Sequence, residues 1–266
     1  MTASRIVARL FDVGWCVLAP SGVVAAYLGI GVGVVLLVGD PIVGTAALGM
    51  LFAALLGTTR ILRPRWLAHA PDPRPTGIPR FGWAVIGCTV LAFLAGQSLA
   101  LWLYLTAGSD GFDESTQTRQ AAGTAVNLML TLVAAPAGEE ALFRGLLYPL
   151  LRKRVSVLAS TVVTTIAFGL LHGNVVQFAL ALPLAVLLAL VYEHTRTLWP
   201  CVLLHLVFNL AATFVPAQML VPLATPIAAA LLGLAFAGCT WMLYRQVVGE
   251  GEPVAVRSEE AASRRA

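Results

Sequence analysis

Ala137-Gly138-Glu139-Glu140-Ala141-Leu142-Phe143-Arg144-Gly145 sets two carboxylates and a guanidinium inside a long apolar segment. No charged residue occurs between Ala121 and Gly138, and none between Gly145 and Leu151. A charge at membrane depth costs from about 2.5 kcal/mol upward, so such residues face a bundle interior and serve a function there. The rest of the chain reads as the scaffold that holds this stretch and carries two histidines to it.

That scaffold is a polytopic membrane protein. Of the 266 residues 59% are hydrophobic and 11% charged, with a mean hydropathy of +0.85. Soluble domains carry about 25% charged residues. A bilayer core of about 30 Å requires about 20 apolar residues per helix. Eight segments qualify: 14–38, 42–59, 81–107, 121–150, 155–172, 176–192, 198–214 and 219–243. The expected fold is all-α, a single bundle of about eight transmembrane helices over residues 1–245. The catalytic half is 121–214, and 246–266 form a disordered cytoplasmic tail.

Between the helices, 60–80 holds five arginines and several prolines and reads as an exposed, non-helical loop, and 108–119 reads as a polar loop. The four cysteines, at 16, 88, 201 and 239, fall in apolar stretches with no metal or haem spacing, and read as buried free thiols. His69 and His194 lie near arginines between apolar stretches and read as solvated.

Loop charge sets the orientation. With the N-terminus in the cytoplasm, 15 of the 17 basic residues fall on the cytoplasmic side, leaving Arg119 outside and Arg144 in the membrane. The expected location is a bacterial plasma membrane, with both termini cytoplasmic. The net charge of +4 is no nucleic-acid footprint, because the basic residues lie in loops and tails.

Three helices supply the polar groups. Glu140 and Arg144 are i, i+4 and share a face, while Glu139 is turned about 100° away. Glu140 and Arg144 can therefore neutralise each other as a packing ion pair, which leaves Glu139 free. Phe168 stands one turn before His172, and His205 one turn before Asn209. A Glu and a His can polarise a water for hydrolysis. A His and an Asn on one face can donate to a developing oxyanion. Glu139, His172 and His205 also form a donor set known for catalytic zinc, although no close-spaced pattern such as HExxH is present. Intramembrane Glu and His also mark ion paths in transporters, but the chain shows no internal repeat.

Taken in order, Glu139-Glu140-x-x-x-Arg144, Phe168-x-x-x-His172 and His205-x-x-x-Asn209 resemble the three motifs of the CPBP family, the CAAX proteases and bacteriocin-processing enzymes, also called the Abi family. The resemblance covers about 121–214. It implies an intramembrane endopeptidase, similar to the type II CAAX prenyl endopeptidases, that hydrolyses a peptide bond of a membrane-associated protein or peptide. Whether that substrate is prenylated stays open. By motif position Glu139 activates water with help from His172, His205 and Asn209 form the oxyanion site, and Glu140, Arg144 and Phe168 are accessory. The family includes proteins described as metalloendopeptidases, so the cofactor is none or zinc; the expectation is no tightly bound zinc. The alternative is a non-enzymatic membrane scaffold or a bacteriocin-immunity-type protein.

Overall fold

The computed structural model describes residues 3–62 and 79–249. Among the described residues all regular structure is helical. In order the helices are α1 (Ala3–Val38), α2 (Pro41–Leu62), α3 (Pro79–Ala107), α4 (Asp110–Ala121), α5 (Thr124–Arg152), α6 (Val157–Leu171), α7 (Val175–Thr195), α8 (Trp199–Phe214) and α9 (Pro226–Gly249). A short helical piece, Ala217–Leu223, links α8 to α9.

The polytopic helical bundle is as expected, but the count of eight spans is not reached. Among the described residues six helices are long and apolar enough to cross a bilayer, or seven if α8 and Ala217–Leu223, bent by 97°, count as one. The physical reasons are local. At 15 residues α6 spans only about 22 Å, short of a hydrocarbon core. α8 stops because Pro216 biases the preceding residue away from the helical region, and Val215 is extended at φ −77°, ψ 116°.

Two loop expectations change. Residues 110–121 are helical rather than a polar loop. Ser109 caps the first turn by accepting from the Phe112 N–H at 3.3 Å, Asp110 and Asp113 favour the N-terminal end and Arg119 the C-terminal end. Of the 60–80 segment, 60–62 and 79–80 are helical and the remainder lies outside the described residues, as does His69. The helix expected to end near 243 continues to Gly249; the rest of the tail also lies outside them.

α7 is the central helix, buried along its C-terminal two thirds and packed on α3, α6, α8 and α9. His194, expected to be solvated, is buried at its end and stacks on Phe81 at 3.7 Å. Cys88 and Cys239 are joined as a disulfide between α3 and α9, so the four-thiol reading fails; Cys201 is a buried thiol. α2 and α5 cross with their backbones in contact. A Cβ on Gly138 would fall on Gly49, and one on Gly145 would fall on Leu56. This close approach fixes the turn that carries Glu139 and Glu140.

The two ends of the bundle differ in charge. Arg60, Arg152, Lys153, Arg154, Arg196 and Arg245 lie at the ends of α2, α5, α7 and α9, where Glu193 binds Arg152 at 3.1 Å and Arg196 at 2.5 Å. Asp40, Asp110, Asp113, Glu114 and Arg119 lie at the opposite end.

Candidate active site

The organising stretch sits in a helix that is not regular. Residues Leu130–Ala134 and Ala141–Leu147 are π-helical, and an α turn, Ala135–Glu140, lies between them. Two prolines explain this. Pro136 has no N–H to give and its ring would clash with the carbonyl four residues back. The helix widens instead, and the Ala135 N–H reaches back to the Leu130 carbonyl. Pro149 follows the second wide stretch, where the Tyr148 N–H reaches the Phe143 carbonyl. Each proline leaves backbone oxygens without a helical donor, and side chains from other helices supply one. Asn209 Nδ2 donates to the Thr131 carbonyl at 2.8 Å, and Arg60 Nη2 to the Gly145 carbonyl at 3.4 Å. Single-turn π-bulges of this kind recur at functional sites.

The α turn between the bulges points its two carboxylates in different directions. Glu140 is fully buried, and its Oε1 accepts from Arg144 Nη1 at 3.1 Å and from His205 Nδ1 at 2.9 Å. Arg144, equally buried, also donates to the Ala185 carbonyl at 2.8 Å and lies over the Phe168 ring at 5.1 Å. Glu139 keeps 17% of its side chain exposed, and its Oε2 is 3.8 Å from His205 Nε2. Among the described residues that oxygen has no hydrogen-bond partner.

Because the Glu140 carboxylate can only accept, His205 Nδ1 carries the proton in this contact. Nε2 is then the ring nitrogen turned towards Glu139. His172 is held differently. It caps the end of α6, and its Nδ1 donates to the Phe168 carbonyl at 2.9 Å. The Phe168 ring packs against both imidazoles, with centroids 5.2 Å from His172 and 5.8 Å from His205. Phe168 is thus the wall between the two histidines.

Glu139, Phe168, His172, His205 and Asn209 all line one cavity of about 480 Å³. It runs from α4, where Gln120 is exposed, inward between α3, α5, α7 and α8. Glu140 and Arg144 stand behind it. A simple count from the basic loops places His205 nearer the membrane face than Glu139, yet the two meet. The reason is that α8 begins inside the bundle, where Leu198 packs on Leu56 near Gly145. The Ala185 carbonyl that Arg144 binds is ten residues into α7, about 15 Å below its start. The ion pair therefore lies at mid-bundle.

Sequence reasoning did not single out Arg119, Gln97 and Thr131 of the same wall, nor the bond between Glu140 and His205. Pro136 was the available signal for the Thr131 carbonyl.

A zinc site would need three convergent donors. Among the described residues no group of three His, Cys, Asp or Glu side chains is placed to hold an ion. Both histidines donate Nδ1–H to protein oxygens, which leaves Nε2 as the nitrogen that could ligate. As placed, Glu139, His172 and His205 do not converge on one metal position.

Fold and site together define a polytopic helical membrane protein with a Glu/His site inside the bundle. Residues 121–211 match the family model described as type II CAAX prenyl endopeptidase Rce1-like. The match covers about a third of the chain, the part that carries all three motifs, and over that part the chain is similar to this family. No curated protein and no solved structure matches the chain.

Proposed function

We propose that the protein is an intramembrane endopeptidase in which Glu139 activates a water for attack on a peptide bond of a membrane-associated substrate. The observation that carries this reading is the 3.8 Å between Glu139 Oε2 and His205 Nε2, with the far side of His205 pinned by the buried Glu140. In this mechanism His205 works as the neutral Nδ1–H tautomer, so that one water can span the gap and give one hydrogen to each acceptor. One of the water's two lone pairs is then free to attack a carbonyl carbon in the cavity. Glu139 takes the water's proton as the new C–O bond forms. The tetrahedral oxyanion receives the Asn209 amide N–H that is not spent on Thr131. The C–N bond then breaks, and the proton on Glu139 passes to the leaving amine, with His172 Nε2 as a second basic nitrogen on the wall. Relative to the motif-based assignment, His205 takes the place beside Glu139 and His172 the supporting one.

The charge asymmetry of the bundle supports an orientation as well. Cytoplasmic segments carry the excess of Lys and Arg. The basic end is then cytoplasmic, and the cavity opens beside α4 on the opposite face. A substrate approaching from there is a peptide on the non-cytoplasmic side, anchored in or lying on the bilayer, rather than the prenylated C-terminus of a cytosolic protein. The alternative of a non-enzymatic scaffold predicts no turnover at all.

The test is cleavage of a peptide library by purified protein in detergent, with bound metal measured on the same sample. Turnover without stoichiometric zinc supports the glutamate mechanism. Turnover that rises and falls with bound zinc overturns it. For orientation, Glu114→Cys should react with a membrane-impermeant maleimide on intact cells, and reaction only after permeabilisation reverses the assignment.

A further inference from the structure

The cavity wall contains one cation and one carboxylate, Arg119 and Glu139, among the described residues. Arg119 is half-buried on the last turn of α4, and no carboxylate of the described residues lies within ion-pair distance of it. Burial pulls its guanidinium below the ordinary arginine pKa, and the charge of Glu139 partly opposes that shift. The acidic residues of its own helix are engaged or remote. Asp113 is bound by the Tyr104 hydroxyl at 2.7 Å, and Asp110 and Glu114 are five or more residues away along the helix. The same cavity is also lined by Gln97, Gln120 and Gln177, neutral amides suited to a peptide backbone. A half-buried guanidinium with no carboxylate in contact is incompletely compensated, and a ligand that supplies one recovers that free energy on binding.

We propose that Arg119 is a specificity-determining residue that binds a carboxylate of the substrate and so sets which peptide bond reaches Glu139. This rests on the peptidase reading above. The planar fork of arginine matches a carboxylate through two parallel N–H···O bonds, and its position in the cavity that ends at Glu139 makes it an anchor rather than a surface charge. The carboxylate comes either from the peptide's C-terminus or from an Asp or Glu side chain near the cleaved bond. Arg119 shares the cavity with Glu139 but forms no ion pair with it. A direct pair between them would neutralise the group that must accept the proton.

The experiment takes a peptide that the wild type cleaves and compares three forms: free acid, C-terminally amidated, and with its acidic side chains changed to amides. Each form is assayed with wild type, Arg119→Gln and Arg119→Lys. For wild type, loss of the recognised carboxylate should raise KM about ten- to a hundredfold, the range of one charge-assisted contact. Arg119→Gln should raise KM similarly for the carboxylate form, and the two losses should not add. Arg119→Lys should recover part of the effect. Whichever neutral peptide reproduces the loss identifies the source. The proposal is overturned if Arg119→Gln lowers kcat equally for all three forms, which would make Arg119 a modulator of Glu139. It is also overturned if the variant changes nothing, or if anionic lipid rather than peptide charge controls the difference. If wild type cleaves no peptide, the peptidase reading fails on its own. Affinity of a fluorescent free-acid peptide for wild type and Arg119→Gln, against its amide, then decides the binding claim separately.

Discussion

Glu140→Gln removes a charge while keeping shape, and the structure gives the size of the effect. Both bonds to this residue converge on Oε1, from Arg144 Nη1 at 3.1 Å and His205 Nδ1 at 2.9 Å, while Oε2 has no partner among the described residues. A glutamine with its carbonyl at the Oε1 position therefore keeps both acceptor contacts. What it loses is the negative charge opposite Arg144, which is fully buried. The Ala185 carbonyl and the Phe168 ring remain, but neither carries a counter-charge. Breaking a buried pair from one side costs about 3–5 kcal/mol, and the retained hydrogen bonds point to the lower end, about 3 kcal/mol. Replacing both partners, as in Glu140→Gln with Arg144→Met, should be less destabilising than the sum of the two single changes. Equilibrium unfolding in mixed micelles of increasing SDS fraction measures this. A loss below about 1 kcal/mol, or strictly additive single and double changes, would refute the assignment of Glu140 and Arg144 as a coupled support for His205.

Three other outcomes follow from the packing. Gly138→Leu should prevent α2 and α5 from meeting, because even a Cβ there falls on Gly49; loss of the monodisperse peak in size-exclusion chromatography reads it out. Asn209→Ala should cost about 1–3 kcal/mol by stranding the Thr131 carbonyl, in addition to lowering kcat, and SDS unfolding beside initial rates separates the two. Cys88→Ala should remove a link closing 151 residues of chain and lower stability by about 2–5 kcal/mol; an unchanged unfolding midpoint would contradict this.

Much of the site was legible because polar groups are rare in this chain. Glu139, Glu140, Arg144, His172, His205 and Asn209 stand out against apolar runs, and i, i+4 spacing alone pairs Glu140 with Arg144. What escaped is what periodicity does not encode. The wide turns before Pro136 and after Glu140 shift the register of α5, so a regular helix does not place His205 on Glu140. α4 is a polar helix whose signal lies in its cap and end charges rather than in hydrophobic spacing. The Cys88–Cys239 link joins residues far apart in the chain, and His194 is buried by Phe81 across such a distance. Eight apolar runs yield six or seven span candidates among the described residues, because an apolar run shows composition, whereas crossing depends on length and on breaks such as the one at Pro216.

The most direct test of the account is Glu139→Gln assayed beside Glu140→Gln for both stability and turnover. Glu139 is partly exposed in the cavity and holds no ion pair with arginine among the described residues, so its amide should unfold as the wild type does while turnover falls below detection. Glu140→Gln should lose stability first. A Glu139→Gln protein that still cleaves peptide at the wild-type rate would contradict the central claim that this carboxylate activates the water.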